Sequence, residues 1–445
     1  MKMKLIVVAG LLIPILLCAQ PSFTGKVDAF IAPLVATKNF NGTVLVAQKG
    51  TILYLKAFGQ ADIGLNVPNR PDTKYHIASL SKSFTAAAIL LLAERGLLRV
   101  SDSISLYIPD YPNGGRITID QLLTHTSGIP NINDMPVYDT ISRFPQTPAS
   151  LVNVFKYKPL DFEPGAKYAY SNSNYNLLAY IIQKVSGKSY GEFIMENILS
   201  PLQMTHTGHD GNAHSVIPDL AVGYQTDNNF GLEKADWLDW TAKTGNGSLY
   251  STVEDLYKWD RSLYTGKILA KASLDKMFTV YAGKTGYGWN LDDHLGRRRV
   301  YFNGRSPGFS SYIGRYPVDE VCIIVLANNY IPVATQLGSD IAAILFGDHY
   351  SSVQLSSGNP DPQAIKEIVG HYRFDSTFYR PNMLMTIREK EGRLFTDWGE
   401  LIPEGAMQYR DRVYWQDLHF VKDSTGKVIK LDYNGYIGYR QPVLP

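Results

Sequence analysis

Ser79 and Lys82 stand three residues apart in the stretch HIASLSKSFTAAAILLLAERG, where a segment apolar nearly all round begins. A helix advances about one turn in that interval, so hydroxyl and amine share a face and can exchange a proton. Serine needs such a partner because its hydroxyl is a weak nucleophile, and lysine serves only where burial and neighbouring positive dipoles lower its pKa. A helix N-terminus also favours the negative charge that develops at the serine. Further along, PGAKYAYSNSNYNLL sets Tyr170, Ser171 and Asn172 just ahead of an amphipathic stretch. The tyrosine could carry a second proton and the amide could bind substrate. On spacing alone the plainer reading prevails: Ser79 caps a helix and Lys82 is a solvated first-turn residue, because Ser-x-x-Lys recurs by chance.

The surrounding patterns supply elements able to hold these groups. GTVLVAQKGTILYLKAFG reads as two strands around a Lys49-Gly50 turn, and TAAAILLLAERG as a buried helix. NYNLLAYIIQKVSG spaces Leu177, Leu178, Ile181, Ile182 and Val185 on one helical face and stops at Gly187. STVEDLYKW opens a helix with Ser251 and Glu254 at capping-box spacing. RRVYFNG, SSYIGRYP and EVCIIVLANN are short extended segments separated by turns, as neighbouring antiparallel strands are. Residues 350–362, YSSVQLSSGNPDP, crowd Ser, Gly, Asn and Pro together and read as a linker. Beyond it, residues 363–445 are short, aromatic-rich and alternating, the texture of a small antiparallel sheet or barrel.

Composition narrows the setting. MKMKLIVVAGLLIPILLCAQ has the layout of a secretory signal peptide, with cleavage expected after Ala19 and export to the periplasm or medium. Lipidation at Cys18 is the disfavoured alternative, because the bulky Leu17 precedes the cysteine. Losing residues 1–19 removes Lys2 and Lys4 and no acid, which brings the charge balance to zero. Neither nucleic acid nor an anionic membrane is therefore an expected partner, and the mature chain has no expected integral membrane segment. Only Cys322 then remains, so no internal disulfide can form and the fold rests on its core. No His or Cys spacing suits zinc, and no glycine loop suits a phosphate.

In order along roughly residues 30–345 come FNGTVLVAQKG, YHIASLSKSFTA, SDSISLYIPDYP, ITIDQLLTHTSGIP, FEPGAKYAYSNSNYNLLAYII, NGSLYSTVEDLYKW and SPGFSSY. With these the chain resembles the serine β-lactamase and penicillin-binding protein superfamily, in its class C-like branch. The resemblance implies an α+β (three-layer α/β) fold, an antiparallel sheet flanked by helices with the site beside a helical region. Residues 20–349 would form that domain and residues 363–445 a small lipocalin-like all-β domain of unknown partner. The implied activity is that of a serine hydrolase working through an acyl-enzyme on a small ester, amide or D-amino-acid peptide, without metal or organic cofactor. A D-alanyl-D-alanine carboxypeptidase or class C-like β-lactamase is the alternative, and a catalytically silent peptide- or glycan-binding protein is a second. The roles implied are Ser79 as nucleophile, Lys82 and Tyr170 as proton carriers, Asn172 as substrate ligand, and the backbone N–H groups of Ser79 and Arg305 as oxyanion donors.

The family's third motif is Lys or His, a variable residue and Gly, on a strand edging the site. Its surroundings match VYFNGRSPGFSSYIGRYP, which puts Phe302, Asn303 and Gly304 at the motif. The cation is thus replaced by Phe302, and efficient β-lactam hydrolysis is not expected. Arg305 and Arg315 are the candidates to restore it, Arg305 being expected to point to solvent instead. Both Lys-Thr-Gly tripeptides, at 243–245 and 284–286, are expected to be chance sequences on loops away from the site. Glu163, which resembles the deacylating glutamate of class A β-lactamases, is expected to be structural, and His125 to be a packing residue.

Overall fold

A computed structural model describes residues 22–226, 232–330, 333–350, 361–378, 382–414 and 416–442. The expected signal peptide and most of the expected linker lie outside them.

A six-stranded antiparallel sheet organises the larger domain, in the order Asn290–His294, Arg297–Ser306, Phe309–Tyr316, Val321–Ala327, Gly42–Gln48, Thr51–Phe58. The Lys49-Gly50 turn joins the last two strands as expected. Their neighbour comes from the far end of the domain, with Gly42 opposite Ala327 and Gln48 opposite Val321. The strand Val321–Ala327 is buried along its whole length, because both faces of the sheet are covered. One face packs against the helices Phe23–Ala36 and Val333–Phe346, through Val27, Phe30, Leu337 and Ile341. The other carries Leu45, Ile313 and Ile324 against a second core that runs into the helical region.

That region is built around two helices. Ser81–Glu94 is buried from Ser81 to Leu92, in keeping with its all-round apolar sequence. Asn172–Ser186 packs beside it and ends at Gly187. The helix Val253–Thr265 starts one residue later than the capping-box spacing suggests: Thr252 accepts from Asp255 N, while Ser251 bonds Thr207. A Thr252 cap satisfies the same orphan helix donors, so the competition was between adjacent hydroxyls.

The C-terminal part is a closed eight-stranded antiparallel barrel, Gly370–Arg373 through Tyr436–Arg440, preceded by the helix Pro362–Ile368. Alternate residues such as Tyr372, Ile387, Leu401, Phe420 and Leu431 fill its interior. It docks on the larger domain by Arg412, which donates to Thr37 O at 2.9 Å and Asn39 Oδ1 at 3.1 Å. Ile402 of the barrel joins the core beneath Phe23–Ala36.

Candidate active site

Ser79 lies in a 3-10 turn, Ala78–Leu80, that leads directly into the helix Ser81–Glu94. Ala78 has a φ of 46°, a left-handed conformation that costs an alanine energy and lifts the next residue out of the helix. The turn is tied to the sheet by Ser311 Oγ, which donates to Ile77 O at 2.7 Å. Beside it runs Arg297–Ser306, so close that a Cβ on Gly304 would lie 2.7 Å from Ser79 N. Only glycine fits there, so the strand expected to carry the third motif, with Phe302, Asn303 and Gly304, runs directly beside the serine.

Ser79 Oγ is 3.0 Å from Lys82 Nζ and 3.0 Å from the Tyr170 hydroxyl. Lys82 does not bond Tyr170 directly; the serine stands between them. The lysine is fully buried, and its amine also donates to Asn172 Oδ1 at 2.9 Å and to the Asn246 carbonyl at 2.7 Å. Both of those oxygens can only accept. A neutral amine gives them its two N–H bonds and turns its lone pair to Ser79. Burial, reinforced by the charge of Lys243, holds Lys82 well below the ordinary lysine range. Asn172 is fixed in this orientation by its own Nδ2, which donates to Asn133 Oδ1 at 2.8 Å, and by its backbone N–H on Asn131 Oδ1 at 2.9 Å.

Tyr170 is pushed the other way. Burial raises its hydroxyl above the ordinary phenol range, and the bond to Ser79 offsets that in part. Its ring is 39% exposed, so solvent tempers the rise. His125 packs against that ring at 4.6 Å between centroids and accepts the Ser171 N–H at 3.2 Å. Burial and then Lys82 push the imidazole down to about 3, so His125 is a neutral support for Tyr170, in line with the packing role expected of it. Glu163 pairs with Arg116 at the surface, again as a structural residue.

These groups open on a cavity of about 570 Å³ lined also by Phe302, Asn303 and Arg305. Phe302 is buried and supplies a ring where the motif's cation would stand. Arg315 does not replace that cation, because it is buried in an ion pair with Asp260 at 2.5 Å. Arg305 does not point freely into solvent: its guanidinium lies 4.3 Å over the Tyr330 ring, and Tyr414 of the barrel stands 5.9 Å from it.

A further expectation is overturned. Neither Lys-Thr-Gly tripeptide occupies the third motif, yet Lys243, Thr285 and Gly286 all line the cavity. The loops carrying them fold back over the nucleophile, a placement that depends on contacts distant in sequence. Asn131, Asn133 and Asn246 were missed for the same reason, since no local spacing marks them.

A family profile described as Beta-lactamase matches residues 27–343. The chain belongs to the beta-lactamase family. Penicillin-binding protein 4* of Bacillus subtilis is 33% identical over 332 residues, which span 70% of this chain and 73% of that protein. Among solved structures, the octameric penicillin-binding protein homologue from Pyrococcus abyssi is 26% identical with a TM-score of 0.66, covering 94% of this chain and 99% of that one. The D-amino acid amidase from Ochrobactrum anthropi SV3 shares the fold, with a TM-score of 0.66 over 72% of this chain and 98% of its own, at 23% identity. The family match and these structures place the larger domain in the β-lactamase and penicillin-binding-protein fold, and the Pyrococcus homologue matches nearly the whole chain, C-terminal barrel included. Among the described residues, no helix is long and apolar enough to cross a membrane.

Proposed function

We propose that this protein is an exported hydrolase that cleaves a small ester, amide or D-amino-acid peptide through an acyl-enzyme at Ser79. The observation that carries the reading is the contact of Ser79 Oγ with both Lys82 Nζ and the Tyr170 hydroxyl. Lys82, neutral by burial, takes the serine proton as Oγ attacks the carbonyl carbon. The oxyanion that forms accepts from the backbone N–H groups of Ser79 and Arg305. Tyr170, whose raised pKa keeps it protonated, donates a proton to the leaving group, and it regains one from Lys82 when the two come into contact beside the acylated serine oxygen. Water then enters along the same path in reverse and frees Ser79. Asn172 has one amide face on Lys82, and Asn303 offers substrate an amide with no side-chain hydrogen bond among the described residues.

The alternative, a D,D-carboxypeptidase or a β-lactamase, draws on the name of the Bacillus relative, while Phe302 in place of a cation weighs against it. A silent binding protein would have no chemical need for Ser79, Lys82 and Tyr170 in mutual contact. Intact-mass analysis separates the three. The protein and its Ser79→Ala variant are incubated with a fluorophosphonate and, in parallel, with benzylpenicillin. The proposal expects a fluorophosphonate adduct that Ser79→Ala abolishes and no lasting penicilloyl adduct. A penicilloyl adduct or rapid penicillin turnover moves the alternative to first place, and no adduct with either probe supports a binding protein.

A further inference from the structure

Lys243 is only 7% exposed, faces the catalytic cavity, and has no carboxylate or carbonyl partner among the described residues. The face of Tyr138 lies 5.3 Å from Nζ. Asp139 and Asp236 line the same cavity without forming an ion pair with it. Its stem is buried while its nitrogen is left to the cavity, and an ammonium largely withdrawn from water with no anion beside it is a ready site for one. Three residues on, Asn246 also lines the cavity, is 2% exposed, and its Nδ2 has no hydrogen-bond partner.

The backbone that carries both donors is fixed before any ligand arrives. Asn246 N and Gly247 N donate to Lys243 O at 3.0 and 2.8 Å, and Asn176 Nδ2 clamps Thr244 O at 2.8 Å. Gly245, with a φ of 84°, makes the turn possible, and a Cβ there would strike Tyr175 O at 2.3 Å. On the strand side of the cavity the motif's cation is absent at Phe302, Arg315 is committed to Asp260, and Arg305 is laid over Tyr330.

Resting on the hydrolase reading, we infer that Lys243 and Asn246 bind a carboxylate of the substrate, so that the charge missing at Phe302 is supplied from the loop after Trp240. The ligand class is an ester, amide or peptide bearing a carboxylate within a few atoms of the scissile carbonyl. That carboxylate belongs either to the acyl portion or to the leaving group.

Two matched ester pairs test the inference and separate those sources. 4-Nitrophenyl hemisuccinate against 4-nitrophenyl butyrate places the charge in the acyl portion; 3-acetoxybenzoate against phenyl acetate places it in the leaving group. In one pair the wild type prefers the anionic ester, mainly through KM. Lys243→Met lowers that anionic-to-neutral ratio of kcat/KM by roughly 10- to 100-fold, the size expected for a hydrogen bond to a charged group. Lys243→Arg retains part of the preference, and Asn246→Ala loses less than Lys243→Met. A purely structural role, or an effect passed only through Lys82, would depress both members of a pair together. An unchanged ratio in folded Lys243→Met, or no anionic preference by the wild type in either pair, overturns the inference while leaving Ser79-dependent cleavage of the neutral esters intact. Failure of the hydrolase reading looks different: no ester is cleaved in a Ser79-dependent way, and the inference falls with it.

Discussion

Arg315 and Lys82, two buried basic side chains of the larger domain, are treated in opposite ways. Arg315 is 1% exposed and lies against Asp260 at 2.5 Å, with the rings of Tyr264 and Phe278 around it. Burial works against its charge, but the carboxylate outweighs burial and the guanidinium is held above its usual range. Lys82 is equally buried and meets only uncharged oxygens, those of Ser79, Asn172 and Asn246. With no anion to offset desolvation, its amine is held well below its ordinary range. At Arg315 a carboxylate makes a brace; at Lys82 its absence makes a base.

Removing each cation should therefore fail differently. Lys82→Met is expected to lower kcat/KM by about 10³-fold or more, within the range for loss of a proton carrier in a transition state, with the fold intact by circular dichroism. Its stability should also carry a pH signature. Lys82 has a folded pKa below its ordinary value of 10.5, so between the two the unfolded chain binds one more proton. Wild-type stability relative to Lys82→Met should thus rise as pH rises through that window and fall as pH falls through it, which urea unfolding at several pH values would read. A flat difference would mean that Lys82 is charged in the folded protein.

Arg315→Met strips the brace and leaves Asp260 buried alone. A loss of about 3–5 kcal/mol is expected in urea or thermal unfolding, with kcat of the folded fraction changed only a few-fold. A large loss of kcat with normal stability would collapse the distinction between the two cations.

Asn172→Asp converts the base toward the brace. The new carboxylate would face Lys82 Nζ, now 2.9 Å from the amide oxygen, and should raise the amine's pKa by favouring its charged form. The acid limb of the kcat/KM profile should move to higher pH, with partial recovery of activity under alkaline conditions. Loss of activity without a moved limb would place the role of Asn172 in substrate contact alone. The smallest effect is expected at Glu163, which pairs with Arg116 in solvent: Glu163→Ala should change stability by about 0–1 kcal/mol and leave hydrolysis unchanged.

Much of this was readable along the chain because it is local. Ser79 and Lys82 owe their contact to one helical turn, and the Lys49-Gly50 hairpin and the helix ending at Gly187 follow from alternation and periodicity. The third-motif expectation rests on the Gly308-Phe309 turn that follows it, and the close approach of Gly304 to Ser79 gives a reason for glycine at that position. What escaped was set by distant contacts. Asn246 meets Lys82 across 164 residues, and Lys243 reaches the cavity because its segment is clamped by Asn176 and, at Gly245, lies close against the Tyr175 backbone. No spacing encodes such a meeting. Arg305 was misjudged for the same reason: its direction is decided by Tyr330, and by Tyr414 from the barrel.

The central claim is that Lys82 is the neutral base that activates Ser79, and the pH dependence of acylation tests it most directly. The rate of the first nitrophenol burst from 4-nitrophenyl acetate, or of fluorophosphonate labelling, would be followed from acid to alkaline pH in the wild type and in Asn172→Asp. The account predicts an acid limb with an apparent pKa well below 10.5 in the wild type, displaced to higher pH in the variant. A wild-type limb at the ordinary lysine value, or one that stays in place when the carboxylate is introduced, would contradict it.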